Sequence, residues 1–505
     1  MDVDTGLSSF FAATVVGLLL SVVIEGLMRP RLPLMRPWPA WALHAGLWLL
    51  AHALLTLVLG RPWFAAVAVM AFLLMLVLVN NAKFKALREP FVFQDYEYFT
   101  DAIRHPRLYI PFLGWRKFIA AASIFIVVVA IGFWGEDAPA ERFAWPGQIA
   151  DIVTAGVGGA LLMLWASRKK LTVGFDPLAD VQRLGLLASL WRYAQEKRVT
   201  PTIASPFSTV AAKAPSTSLP NLVAVQSESF FDARTLYTGI RPQVLAEFDR
   251  LRANAIGHGK LKVPAWGANT VRTEFAFLSG IGDDLMGAHR FNPYRAIAGG
   301  WAPQSLASFL KRLGYRTICI HPYPASFYLR DRVYPRLGFD EFIDIRAFNH
   351  ADRFGPYIGD AAVAEKVAAI LQEAISPVFI FAITMENHGP LHLERVAPKD
   401  IDALYSVAPP EGCDDLTVYL RHLRNADAMV ASLRATLERC DRPAALCWFG
   451  DHVPILPAVY QQFGAPEGDV EYVFWSNQKA GAVTGRNLSA ENLSSEWLRA
   501  AGVMD

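Results

Sequence analysis

At 505 residues the chain is too long for one ordinary domain, so two or more are expected. Hydrophobic residues make up 53% and charged residues only 19%, a balance that leans toward a membrane protein. With a formal net charge of +2, nothing global points to nucleic acid or to a strongly acidic partner. The four cysteines, Cys319, Cys413, Cys440 and Cys447, show no metal-ligand spacing. A disulfide among the last three would need an oxidising compartment.

The apolar excess sits in the first third. Five segments there, about Ser8–Leu27, Trp38–Leu59, Trp63–Val79, Phe118–Phe133 and Ile149–Trp165, approach the roughly 20 helical residues that cross a hydrocarbon core. The third and fourth are short, which leaves four spans as the alternative. No small-residue cleavage site follows the first segment, which therefore reads as an anchor and not a removed signal peptide. His44 and His52 of the second segment fall within about a quarter turn of each other but two turns apart along the axis. Packing within the bundle suits them better than a shared metal. From Asn80 to Trp115, Lys83, Lys85, Arg88, Arg104, Arg107 and several aromatics interleave with apolar residues, as in amphipathic helices at headgroup level. A cytoplasmic loop is the plainer alternative. Arg29, Arg31, Arg36 and Arg168-Lys-Lys170 are also positive. With five spans, the positive-inside rule places the C-terminal region in the cytoplasm and the acidic 136–141 loop outside.

Leu171 to Pro220 is mixed: Leu184–Glu196 has a helical pattern, and Thr200–Pro220 has the composition of a linker. From Asn221 onward, short apolar runs alternate with amphipathic segments, the signature of an α/β domain. The expected division is a transmembrane domain over 1–170, a connecting helix and linker over 171–220, and a catalytic domain over 221–505.

In an open α/β sheet, ligands bind beyond the carboxyl ends of the strands. Polar residues stand at five such places. Leu222–Gln226 is followed by Ser227-Glu228-Ser229, and Gly267-Ala-Asn-Thr270 opens a helix over Val271–Leu278. Tyr315–Ile320 ends in His321, with Arg330 nine residues on; Pro377–Thr384 leads to Glu386-Asn-His388-Gly-Pro390. The apolar run Ala444–Phe449 is broken by Gly450 and followed by Asp451-His452. Singly, Glu228 reads as a surface carboxylate, His388 as a turn residue, and Asp451-His452 as a turn aspartate beside a satisfied histidine. Convergence on one sheet edge is harder to dismiss.

Their chemistry follows from their types. Glu228, Asp451 and His452 offer two carboxylates and an imidazole to a divalent metal, and Thr270 would complete the set. A threonine hydroxyl on a divalent cation is a nucleophile at neutral pH. The helix N-terminus behind it presents N–H groups to an anion. Thr273, a turn further in, is the poorer nucleophile. A mostly oxygen ligand set favours Mn²⁺ or Mg²⁺, with Zn²⁺ also compatible. Arg330 can grip phosphate oxygens bidentately, while His321 and His388 can hydrogen-bond a headgroup or carry protons. This reads as a phosphoryl or sulfuryl transfer site.

At these residues the sequence resembles the lipoteichoic acid synthase-type phosphoglycerol transferases of the alkaline phosphatase/sulfatase superfamily. The resemblance spans nearly the whole chain. It rests on the connector Phe175-Asp…Val181…Leu184-Gly-Leu-Leu187, on Asn221-Leu-Val-Ala-Val-Gln-Ser-Glu-Ser229, and on Gly267-Ala-Asn-Thr-Val-Arg-Thr-Glu-Phe275. Ser326-Phe-Tyr-Leu-Arg-Asp331 with Tyr334 and Leu337-Gly-Phe-Asp-Glu-Phe342, then Asn387-His388 and Gly450-Asp-His452, complete it. The fold it implies is an N-terminal transmembrane α-helical bundle followed by an α/β sulfatase-like (alkaline phosphatase-like) domain. It implies Glu228, Thr270, Asp451 and His452 as ligands of one divalent metal, with Mn²⁺ the expected ion. Thr270 would accept phosphoglycerol, His388 would assist, and His321, Tyr328, Arg330 and His388 would hold the glycerol phosphate. The donor would be phosphatidylglycerol and the acceptor an envelope glycan or glycerol phosphate polymer.

The family commonly has tryptophan at Tyr328 and a carboxylate near Tyr323, so the glycerol contacts depart from its pattern. Phosphoethanolamine transferases share the metal logic but are usually richer in cysteine. Thr270-Val-Arg-Thr lacks the Cys/Ser-x-Pro-x-Arg context of formylglycine sulfatases. A metal-dependent hydrolase and a non-catalytic scaffold are the remaining rivals. The resemblance also implies a multi-pass protein of the bacterial cytoplasmic membrane with its catalytic domain outside, against the arginine count.

Overall fold

The computed structural model describes residues 5–98, 145–169, 171–208, 219–478 and 485–504, with isolated positions between 103 and 136. The chain divides into two compact units, Met1–Val199 and Thr200–Asp505.

The N-terminal unit is built on helices Thr5–Glu25, Trp38–Leu59, Pro62–Leu87 and Trp145–Ser167. Among the described residues, three stretches are long and apolar enough to cross a membrane: Trp38–Leu59, Pro62–Leu87 and Ile149–Ser167. Ser9–Glu25 is a shorter apolar helix, and the segment expected at Phe118–Phe133 lies largely outside the described residues. The third helix is longer than its apolar stretch suggested. It begins with proline at its first turn, where a missing N–H costs nothing, and continues to Leu87. The amphipathic helices expected over 80–115 therefore start differently: Asn80 belongs to that helix, Phe93–Tyr98 is one short 3₁₀ turn, and much of the remainder is outside the described residues.

Several polar groups inside this unit are paired, which offsets the cost of burying them. Ser21 Oγ lies 2.8 Å from His44 Nε2, and Thr14 Oγ1 lies 3.1 Å from His52 Nδ1, so both histidines tie the second helix to the first. Glu25, fully buried, takes Arg36 at 2.5 Å and the backbone N–H of Leu186 at 2.7 Å. Leu186 opens the helix Leu186–Glu196, which with Pro177–Leu184 packs within this unit instead of hanging as a free linker.

The C-terminal unit holds an eight-stranded sheet. Its strands are β1 (Asn221–Ser227), β2 (Gly257–Lys262), β3 (Arg316–Ile320), β4 (Glu341–Ile343), β7 (Val378–Ile383), β8 (Ala444–Gly450), β9 (Val470–Ser476) and β10 (Leu488–Ser489); β5 (Arg353–Phe354) and β6 (Tyr357–Ile358) form a separate hairpin. The order is β10-β2-β9-β8-β1-β7-β3-β4, with β8-β1-β7-β3-β4 parallel and β9 antiparallel to both β8 and β2. Every residue of β1, β7 and β8 is buried, which explains why these strands read as unbroken apolar runs: helices cover both faces. Register then sets the site. Ser227 pairs with Gly450, Gln226 with Ile383, and Ile320 with Ala382, so the residues that follow β8, β1, β7 and β3 emerge along one edge.

Candidate active site

Where β1 and β8 end, the backbone makes close approaches. A side chain on Gly450 would collide with the Phe230 carbonyl, and Ser229 takes a positive φ of 52°. That compression turns Glu228, Asp451 and His452 toward one another. Each offers a ligand atom, all within 4.8 Å of one another, and all three residues are buried. His452 Nε2 stands 3.3 Å from Asp451 Oδ2 and 3.7 Å from Glu228 Oε1. His452 Nδ1 is 3.1 Å from the Val453 carbonyl; donating there fixes the proton on Nδ1 and turns the Nε2 lone pair inward.

Asp451 Oδ1 accepts from the N–H groups of Ser229 (2.8 Å) and His452 (2.9 Å), whereas its Oδ2 is buried with no hydrogen-bond partner. Burial, and then the neighbouring Asp451 charge, push Glu228 up to about 8. The Ser229 hydroxyl donates to Glu228 Oε1 at 2.8 Å; two desolvated carboxylates and an inward lone pair otherwise make a donor set that suits a divalent cation.

Thr270 is the first residue of the helix Thr270–Ser279 and follows Asn269, whose left-handed backbone (φ 67°) turns the chain into the helix. Its Oγ1 lies 3.5 Å from His452 Nε2. Thr273, the competing nucleophile, donates its hydroxyl to the Asp451 carbonyl at 2.7 Å and braces the strand end instead.

Arg330 departs from expectation. Its fork was expected to be open to phosphate, but Nε and Nη2 reach Glu274 at 3.1 and 2.7 Å, leaving only the buried Nη1 without a partner. Glu274 also accepts from Tyr294 at 2.5 Å and from Tyr334. Burial opposes the Arg330 charge, and Glu274 outweighs it, holding the guanidinium well above its ordinary range. Tyr328, itself at φ 57°, places its ring 5.2 Å from the Arg330 guanidinium.

His321 is buried, with Nδ1 3.2 Å from the Ile383 carbonyl and Nε2 without a partner. Burial and then Arg330 hold its pKa well below 6.5, so it is a neutral imidazole with an accepting nitrogen. His388 is half-buried, its Nδ1 2.7 Å from the Gly389 carbonyl, and burial lowers its pKa despite an opposing pull from Asp451. Tyr357 of β6 reaches the same carbonyl at 3.2 Å and sets its ring 5.5 Å from that of His388.

Some participants were not singled out in the sequence. Glu274 sits one turn after Thr270 in a helix whose residues are all buried; a carboxylate just before the apolar run Phe275–Leu278 was the available signal. Tyr357 gave none. Glu386 was noted only as a neighbour of His388, yet it accepts from the Asp360 N–H (2.7 Å), Asn425 (2.6 Å) and His422 (2.9 Å).

With this geometry in place, comparison with protein families matches residues 220–503 to Sulfatase. The chain belongs to the sulfatase family. The sulfatase domain thus begins one residue before β1 and takes in all of the strands described above. Over 452 residues the chain is 29% identical to the capsular polysaccharide biosynthesis protein RkpI of Rhizobium meliloti (strain 1021), covering 86% of this chain and 81% of that protein. A putative cyclic beta-1,2-glucan modification protein of the same organism is 26% identical over 300 residues, which is 56% of this chain and 46% of that protein. Among solved structures, the integral membrane protein lipooligosaccharide phosphoethanolamine transferase A (EptA) from Neisseria meningitidis is similar, with a TM-score of 0.56 at 15% identity. That match covers 92% of this chain and 88% of EptA. It shows the fold, N-terminal helices followed by a sulfatase-type α/β domain, as the sequence led one to expect.

Proposed function

We propose that the protein is a membrane-bound transferase that moves glycerol phosphate from phosphatidylglycerol, through a Thr270-linked intermediate, to an envelope glycan or glycerol phosphate polymer, releasing diacylglycerol. The observation that carries this reading is the Thr270 hydroxyl at a helix N-terminus, 3.5 Å from the Nε2 of His452, whose ligand atoms cluster with those of Glu228 and Asp451. A divalent cation, Mn²⁺ by donor chemistry, held by Glu228, Thr270, Asp451 and His452 would lower the pKa of the threonine hydroxyl and offset phosphoryl charge.

The protein's own groups do the rest. Thr270 Oγ1 bonds to phosphorus as the bond to the diacylglycerol oxygen breaks, and the hydroxyl proton ends on the departing alcohol. In the second step the acceptor oxygen replaces Thr270 on phosphorus, and its proton returns to Thr270. His388 relays the proton in both steps: a neutral imidazole pinned through Nδ1 can take and return a proton at Nε2. Arg330 Nη1 faces the phosphate, while the Tyr328 ring and His321 Nε2 receive the headgroup. The free N–H groups at the start of the Thr270 helix stabilise the phosphoryl oxygens.

A glycan acceptor is supported by the names of two relatives, one in capsular polysaccharide biosynthesis and one in glucan modification. Such an acceptor places the domain on the outer side of the bacterial cytoplasmic membrane. The deciding experiment incubates the purified protein with Mn²⁺ and phosphatidylglycerol and examines the Thr270 peptide by mass spectrometry. A glycerol phosphate adduct is expected. An adduct from phosphatidylethanolamine alone would replace the donor, and free glycerol phosphate released without an acceptor would make the enzyme a hydrolase.

A further inference from the structure

His422 lies on the helix Asp414–Glu438 and is fully buried. Its Nδ1 is 2.9 Å from Glu386 Oε1, and its Nε2 is 2.9 Å from Glu394 Oε1. An ionised carboxylate only accepts hydrogen bonds, and a neutral imidazole has one N–H, so meeting both carboxylates requires a proton on each ring nitrogen. The two glutamates bracket the segment that leaves β7 and carries His388. One buried side chain thus holds both ends of that segment.

The surroundings reinforce the charge. Glu386 also takes the Asp360 N–H at 2.7 Å and Asn425 at 2.6 Å; Glu394 takes Arg421 at 2.7 Å, and Arg421 reaches Asp400 at 3.1 Å. The Phe354 ring of β5 stands edge-on to the imidazole, centroids 5.5 Å apart. Asp360, buried and pressed by Glu386, has its pKa raised well above its ordinary value.

We infer that His422 is a positioning residue for the proposed transfer: as an imidazolium it staples Glu386 to Glu394 and thereby fixes where His388 meets the reacting groups. The inference rests on the role proposed for His388. Burial opposes the charge on His422, and the hydrogen bonds to Glu386 and Glu394 outweigh it, holding the group up at about 9. The sign follows from linkage. A group whose pKa is raised from 6.5 to about 9 stabilises the closed segment fully below pH 6.5 and loses that contribution as pH climbs to 9.

The test uses the full chain in lipid nanodiscs, with hydrogen–deuterium exchange of residues 386–394 followed between pH 6 and 10 beside kcat and KM for diacylglycerol release. After correction for intrinsic exchange, protection of that segment should fall by up to about tenfold per pH unit between 6.5 and 9 in the native protein. H422Q, which can donate to only one of the two carboxylates, should flatten that dependence and lower kcat by about tenfold with KM nearly unchanged. E394Q keeps an acceptor and removes a charge, so the whole transition should move to lower pH; it carries the test if H422Q fails to fold. Unchanged protection and kcat in H422Q would overturn the proposal, as would a native segment whose protection ignores pH. Lost protection with an unchanged kcat would also overturn it, leaving His422 a purely structural group. If the native protein releases no diacylglycerol, the donor reading fails while the exchange measurement still decides the staple.

Discussion

Among the described residues of the C-terminal unit, two acidic clusters at or near the core are resolved in opposite ways. Glu386 and Glu394 receive their cations from the chain itself, His422 and Arg421, and every carboxylate oxygen in contact with them has a defined donor. Glu274 is treated the same way by Arg330. Glu228 and Asp451 are not: Asp451 Oδ2 is buried without a partner, and Glu228 is forced toward its protonated form. Burying an unpaired carboxylate is expensive, and among the described residues no lysine or arginine pairs with Glu228 or Asp451 to offset it. The difference separates acidic residues that hold the fold from those proposed above to hold a cation.

The comparison can be broken by experiment. The largest effect is expected at the nucleophile: Thr270→Ala removes the attacking oxygen and should cut diacylglycerol release by at least about 10³-fold, measured under single-turnover conditions. Full release by that variant would end the covalent scheme. Next come paired substitutions with opposite signs. Glu386→Gln leaves His422 short of a counter-charge and should lower unfolding free energy by about 3 kcal/mol whether or not metal is present. Asp451→Asn removes a repelling charge beside Glu228, so metal-free protein should gain about 1 kcal/mol, while the rise in melting temperature that Mn²⁺ gives the native protein disappears. Like behaviour in the two variants would mean that the clusters do not differ in this way.

A third measurement follows pH. Glu228 must be ionised to bind a cation, so Mn²⁺ affinity should climb by up to about tenfold per pH unit as pH approaches 8 and level off above it. Without metal the sign inverts for stability. A carboxyl raised from 4.5 to about 8 stabilises the fold fully below pH 4.5 and loses that contribution as pH rises to 8. Calorimetry with and without Mn²⁺ would show the two trends diverging. The smallest effect is expected at the periphery: Tyr357→Phe deletes a 3.2 Å bond to the Gly389 carbonyl and should slow turnover only about two- to fivefold.

The strand ends were legible because parallel, doubly covered strands leave continuous apolar runs whose polar successors stand out. Glu228, His321, His388 and Asp451-His452 each follow such a run, and Thr270 was marked by the Gly-Ala-Asn turn before its helix. The pairing of Arg330 was not legible. Its partner Glu274 lies 56 residues away, and nothing in either segment says that they meet. His422 was hidden for another reason: it occupies the buried face of an amphipathic helix beside Tyr419, Leu420 and Leu423, where a histidine reads as one more core residue. In the N-terminal unit, hydropathy located the described helices but fell short of the end of the third. Asn80, Asn81 and Lys83 end the apolar run without ending the helix, since hydrophobicity and helix propensity are separate properties.

The strand order has one more implication. Glu228, Asp451 and His452 follow β1 and β8, which are neighbours, and Thr270 joins them from the helix after β2; the groups proposed for the headgroup follow β7 and β3, which are also neighbours. Substitutions after β3, such as tryptophan for Tyr328 or a carboxylate for Tyr323, would therefore leave β1 and β8, and the ligand set proposed beyond them, untouched. Such a layout lets one reaction engine be refitted to new donors by changing a few residues in two loops.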